Sequence, residues 1–240
     1  MVTERDRFTK CFGKVFDPQK SKLLILGTLP PYGSEWYYQE NSIMWEILSE
    51  ALELPELAKP NTTARKKKEL LINNGIALWD IFACAWRKEG RAGDEYIIKN
   101  KELQANKICD EIINKGRIEY IIINGLEQAL MWFMENNQEK AIKDLIASKK
   151  VISLHQTKWI QNYKADDPKY KLNWVNAIKK ALGKPVLTDK PKKSATESKT
   201  PTPTVVKKTQ KPAPKATAKK ESEPPKPKKI AFVVKKNKTV

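Results

Sequence analysis

The chain has 240 residues, with 46 lysines and arginines against 28 acids and a formal net charge of +18, which is room for one medium domain plus an appendage. No apolar run reaches the roughly 18 residues of a membrane span, and the polar amino terminus lacks a signal peptide's apolar region, so a cytoplasmic protein is expected. Cys11, Cys84 and Cys109 are odd in number, widely spaced and outside any Cys-x-x-Cys pattern, which argues against a disulfide framework or a zinc site.

Residues 1–21 form a leading segment in which Phe8, Phe12, Val15 and Phe16 are the packing contacts. The run 23–26 is apolar throughout rather than alternating, as in a strand covered on both faces of a parallel sheet, and it ends on Gly27. A loop follows that holds Pro30, Pro31 and Gly33 together with Tyr32, Trp36, Tyr37, Tyr38, Gln39, Asn41 and Ser42. Open parallel sheets bind ligands beyond the carboxyl ends of their strands, so this loop is the default site.

A helix is predicted over 41–54, stopped near Pro55, and a second, capped by Asn61-Thr62-Thr63, runs to 72. Asn73-Asn74-Gly75 breaks it, and 76–82 reads as a second strand ending at Trp79-Asp80. Residues 84–94 read as a charged, Gly-containing loop, and Leu103, Ile108 and Ile112 mark a third helix. Residues 118–123 form a third strand closed by Asn124-Gly125, followed by helix over 126–133 and 141–146. A fourth strand, 150–154, leads into His155-Gln156-Thr157-Lys158-Trp159, and a last helix, 169–182, ends at Gly183-Lys184-Pro185. This alternation predicts an α/β fold with a mainly parallel four-stranded sheet.

Composition breaks at Gly183. Residues 184–240 hold 17 lysines, four acids, nine prolines, no glycine and one aromatic, and so carry thirteen of the eighteen net charges. Such a segment has too little apolar surface to offset the entropy of ordering its backbone, so 184–240 is expected to be a disordered basic tail beside a folded domain of 1–183. Its one-sided lysine charge suits a polyanion held by phosphate neutralisation, and otherwise serves solubility or linkage.

The strand ends gather Gly27, Thr28, Leu29 and Pro30, then Asp80, Asn124 and His155. No Walker pattern, Gly-x-Gly-x-x-Gly or metal-spaced His/Cys/Asp cluster is present, so no cofactor or metal is expected. His155 is the only histidine. It is either an ordinary structural or exposed residue or a donor to an oxygen that gains negative charge. Asp80 either caps the next segment or orients a polar partner. Asn124-Gly125 is a common turn pair, yet an amide at that edge can read a base edge by paired donor and acceptor. Trp36, Tyr37 and Tyr38 are either packing residues or a stacking surface for a base.

Gly27-Thr28-Leu29-Pro30 after an apolar strand, then Tyr37-Tyr38, Asn41, Trp45 and Ile47-Leu48, resembles the Gly-Ser-Met-Pro-Gly and Tyr-Tyr…Asn-x-Phe-Trp motifs of the uracil-DNA glycosylase superfamily, nearest its hypoxanthine-DNA glycosylase branch. The resemblance continues through residues 74–81, Cys84, Arg87 and Asp94, and 122–125, and covers roughly 20–180. It implies a three-layer α/β/α sandwich that flips a deaminated base out of DNA and hydrolyses its N-glycosidic bond without metal or cofactor. By the same resemblance Asn41 positions the water, Asn124 and the backbone near Thr28 and Leu29 hold the base, one of Tyr37 and Tyr38 stacks on it, and His155 stabilises the departing base. With Trp45 aligned, the segment after Tyr38 is one residue short and Ser42 takes the slot of Asn41.

The expectation is therefore a monomeric, monofunctional DNA glycosylase acting on uracil or hypoxanthine, associated with the nucleoid through its tail. The alternatives are a non-catalytic nucleic-acid-binding protein on the same fold and a hydrolase of free nucleosides.

Overall fold

In chain order the first half contains strand β1 (Arg7–Lys10), strand β2 (Leu23–Gly27), helix α1 (Ile43–Leu52), helix α2 (Ala64–Asn73), strand β3 (Ile76–Asp80) and strand β4 (Phe82–Arg87). The second half contains strands β5 (Ile97–Ile98) and β6 (Gln104–Ala105), a π-helical turn (Cys109–Ile113), strand β7 (Tyr120–Asn124), helices α3 (Glu127–Asn136) and α4 (Lys140–Ala147), strand β8 (Val151–Leu154), and helices α5 (Thr157–Tyr163) and α6 (Pro168–Ala181). The computed structural model describes residues 4–187 except 31, 35, 39–41, 92, 93, 100, 101, 165 and 166. The described residues belong to the compact unit 1–191. Asn41 and nearly all of the basic tail lie outside the described residues.

The expected four strands form one parallel sheet in the order β3-β2-β7-β8. Residues Leu23 to Leu26, Ile76 to Asp80 and Ile121 to Ile123 are buried whichever side they point to, which requires cover on both faces of the sheet. Helices supply it: α2 packs on β3, α3 on β7 and β8, and α6 on β8 and α1. Each buried Leu or Ile in these strands contributes about 1.5–3 kcal/mol relative to exposure. The chain leaves β2 toward β3 and returns across it to β7, so the switch in direction lies between the ends of β2 and β7.

Capping sets where the helices begin. The Ser42 hydroxyl accepts from the Met44 amide at 3.3 Å at the start of α1, the Thr63 hydroxyl from Lys66 at 3.2 Å at the start of α2, and Asp167 from Lys169 at 3.1 Å ahead of Pro168 in α6. Gly75, at φ +79°, ends the α2 turn and starts β3.

One apolar run departs from expectation. Residues 76–82, expected as a single strand, bend at Ile81, and the continuation is β4, which pairs antiparallel with β1, β5 and β6 in a second sheet. The bend is fixed by the loop after β2, because Ile81 donates to the Gly27 carbonyl at 2.8 Å and Phe82 to that of Thr28 at 3.0 Å. The expected third helix is reduced to β6 and the π-helical turn. The segment after the fourth strand, for which no element is expected, contains α5. Residues 184–187 still follow α6, since Asn176 exchanges two hydrogen bonds with the backbone of Leu187.

Candidate active site

A cavity of about 250 Å³ opens beyond the carboxyl ends of β2, β3 and β7. Its wall includes Gly27, Thr28, Leu29, Pro30, Tyr37, Tyr38, Ser42, Asp80 and Asn124, so the structure brings together nearly every residue singled out from the sequence. Trp36, Asp94, Gln156, Thr157 and Lys158 complete much of the rest. The volume lies below the roughly 300–1,000 Å³ of sites for drug-sized ligands, which suits a single ring rather than a dinucleotide.

Asp80 closes β3 and is 4% exposed. Its backbone carbonyl accepts from the Asn106 amide at 2.8 Å, while its side-chain Oδ2 has no hydrogen-bond partner among the described residues. Burial, opposed by the Arg87 charge and assisted by that of Asp94, pushes its carboxyl up to about 7. A carboxyl poised near neutrality at a strand end is able to exchange a proton with a bound molecule.

Three chain segments meet at Asp94. Its Oδ2 accepts from the Thr28 hydroxyl at 2.8 Å and from the Gln156 amide, tying the loop after β2 to the segment after β8. Burial raises the Asp94 carboxyl, with the Thr28 hydrogen bond and the Arg87 charge pulling it back. Arg87, fully buried at the end of β4, donates from Nη2 to the Leu29 carbonyl at 2.6 Å and so fixes the backbone of the β2 loop. Burial lowers its guanidinium, while Asp94 and Asp80 pull it back up.

Asn124 is pinned rather than free. Its Oδ1 accepts from the Thr157 amide at 2.9 Å and its Nδ2 donates to the Thr157 hydroxyl at 3.4 Å, which fixes the start of α5. Burial raises the Tyr38 phenol, and the Asp80 charge adds to that, while the neighbouring Asn124 amide pulls it back.

The aromatic wall is layered. Trp36 stacks on Trp45 with centroids 5.5 Å apart and planes 8° apart, Tyr38 meets Trp45 edge-on at 5.9 Å, and the Lys67 ammonium lies 4.3 Å from the Trp45 centroid. The Trp45 indole donates to the Tyr38 carbonyl at 3.3 Å. That bond helps hold Tyr38 at φ +51°, a left-handed conformation that costs a bulky residue roughly 1–2 kcal/mol. Tyr37 is buried, and its hydroxyl donates to the Phe12 carbonyl at 3.3 Å, which gives it a packing role. Ser42 lines the cavity, but its hydroxyl is engaged as the cap of α1. The water-positioning role expected of Asn41 falls outside the described residues.

His155 does not line this cavity. Its ring stacks on Trp159, centroids 4.6 Å apart, and it borders a second cavity of about 710 Å³ that shares only Asp94 and Gln156 with the first. The imidazole expected to face a departing base thus stands outside this cavity, whose wall includes Gln156, the next residue.

Gln156 carries no signal in the sequence that marks it as a site residue. Arg87 and Asp94 enter the sequence reading only through the family resemblance, and their partners lie far away along the chain. Among the described residues no group of three or more His, Cys, Asp or Glu is arranged to hold a metal. Cys84 and Cys109 are buried thiols and Cys11 is half-buried, none of them in a disulfide. No described helix is long and apolar enough to cross a membrane.

No protein-family model matches the chain, and no curated protein does. Among solved structures, the solution NMR structure of a protein from Methanosarcina acetivorans, described there as a candidate uracil DNA glycosylase, is similar, with a TM-score of 0.50 and 19% identity over 73% of this chain and 99% of that one. The similarity is one of fold: both chains build the α/β architecture whose strand ends frame the cavity.

Proposed function

We propose that the protein is a DNA glycosylase that holds one flipped base in the cavity at the strand ends and hydrolyses its N-glycosidic bond. The observation that carries this reading is the pairing, in one ring-sized cavity, of a layered aromatic wall with a buried carboxyl whose Oδ2 has no partner among the described residues and which is held near neutrality. A target bond inside the duplex is unreachable, so the base must leave the stack, and an aromatic wall offsets the stacking it loses.

In the reaction a water oxygen bonds to the sugar C1′ as the C1′–N bond breaks, and the electron pair of that bond leaves with the base. The Asp80 carboxylate accepts the proton from the water and faces the positive charge that develops on the sugar. Asn124, oriented by Thr157, and backbone groups near Thr28 and Leu29 hold the base oxygen and its growing negative charge. Asn41 or Ser42 positions the water. Uracil and hypoxanthine are the expected bases, and the lysine-rich tail adds affinity for phosphates without choosing the base.

A purely binding protein on the same fold has no use for a desolvated carboxyl, whose burial without full pairing costs folding energy. The test is incubation with duplexes containing uracil or hypoxanthine, followed by alkali to break abasic sites. Strand breakage that Asp80→Asn removes supports the reading; salt-sensitive binding with no base release on either lesion overturns it. Loss of activity in Asn41→Ala with retention in Ser42→Ala assigns the water to Asn41, and the reverse result assigns it to Ser42.

A further inference from the structure

Beside the base cavity, α5 carries aromatic rings that the reaction does not use. His155 stacks on Trp159 at 4.6 Å and 20°, Tyr170 meets both edge-on at 4.9 and 5.4 Å, and Tyr163 lies beyond Trp159 at 6.2 Å. The group is held from below, because the His155 carbonyl accepts from the buried Trp174 indole at 2.9 Å. Tyr163 is 71% exposed, whereas His155, Trp159 and Tyr170 are half-buried. Rings locked against one another and open at the outer end form a rigid surface whose exposure is costly unless something flat covers it.

Two observations indicate what covers it. The second cavity, bordered by His155 and Trp159, adjoins the base cavity, since Asp94 and Gln156 border both, and Lys158, Gln161 and Asn162 of the same short helix line the base cavity. Exposed cations stand beside it, Lys158 on the helix and Lys164 just after its end, while Lys99 borders the second cavity with Asp94 and Glu95, and Asp167 caps the start of α6. A peptide partner would not require continuity with a base-sized cavity, whereas a polynucleotide strand running out of it would.

Building on the glycosylase reading, we infer that His155, Trp159, Tyr163 and Tyr170 form a stacking platform for unpaired bases next to the flipped one, which makes single-stranded DNA a ligand of this face. Stacking of this kind tolerates any sequence, because every base presents a π face. The platform is a binding surface and takes no part in bond cleavage.

The experiment uses the full chain and measures anisotropy with a lesion-free, end-labelled single strand and with the same sequence as a duplex. It is run at about 0.3 M salt, so that non-specific phosphate binding is suppressed. Tyr163→Ala, at an exposed position that does not endanger the fold, should weaken single-strand binding about tenfold and leave duplex binding within about twofold. Tyr163→Trp should restore it, and Trp159→Phe should retain part of it. Equal losses on single strand and duplex, or no loss on the single strand, overturn the platform. Base release from lesion-bearing duplex is followed in parallel: its absence in the wild-type protein overturns the glycosylase reading, while the single-strand comparison still decides the platform.

Discussion

Gly27 and Asp80 are register partners at the ends of β2 and β3, and the space a side chain would need at Gly27 is filled by Oδ1 of Asp80. The glycine is there for this close approach, since even a methyl group would collide with the carboxylate.

Gly27→Ala should therefore act on the site rather than on the sheet. The new Cβ displaces the Asp80 carboxylate, and a misplacement of about 1 Å in a reacting group lowers activity about a hundredfold. Overpacking should cost about 1–3 kcal/mol of stability. Steady-state base release and urea denaturation check the two expectations, and full activity in Gly27→Ala would remove Asp80 from the reaction.

The position of Asp80's proton predicts how activity and stability respond to pH. Burial raises the carboxyl from its ordinary 3.8 to about 7, so between these values the folded protein keeps a proton that the unfolded chain has released. The sign follows directly: this contribution to stability is full below about 3.8 and is lost as pH rises through about 7. Activity runs the other way, increasing as the carboxylate forms. Asp80→Asn should lower base release by about 10²–10⁴-fold, abolish the rise through neutrality, and flatten the decline in stability. Denaturation curves and pH–rate profiles of both proteins test this together.

Asn124 separates support from recognition. Asn124→Asp keeps an oxygen for the Thr157 amide but removes the amide hydrogens, which donate to the Thr157 hydroxyl and which the proposed function assigns to a base oxygen. Stability should change by less than about 1 kcal/mol, while base release falls about tenfold to a hundredfold, as when one hydrogen bond to a base, about 1–3 kcal/mol, is missing. Asn124→Ala also frees the start of α5 and should cost a further 1–3 kcal/mol or so in denaturation.

Removing residues 188–240, which follow the hydrogen bonds between Leu187 and Asn176, tests the tail. The shortened chain should still release bases from short oligonucleotides. Its binding should weaken, and the slope of log affinity against log salt should fall by about 0.7–0.9 for each phosphate that the tail neutralised. An unchanged slope would assign the tail to something other than DNA.

The sequence by itself determined the central sheet and the address of the site. The runs at 23–26 and 118–123, with Gly27 and Asn124 at strand ends, encode buried parallel strands through local pattern alone, the shorter segment 150–154 adds a half-buried fourth strand, and a parallel sheet places those ends on one edge. Only the tertiary structure decided what stands at that edge. Thr28, Asp94 and Gln156 meet through hydrogen bonds across separations of 66 and 62 residues, a relationship no local period records. The bend at Ile81 depends on carbonyls of Gly27 and Thr28, so a run that reads as one strand became two. His155 has the position of a site residue, directly after β8, but Trp159 and Tyr170 hold its ring in the neighbouring surface. Asp80 changed most: its residue type is visible in the chain, whereas the loss of water that raises its carboxyl depends on the segments that pack over it.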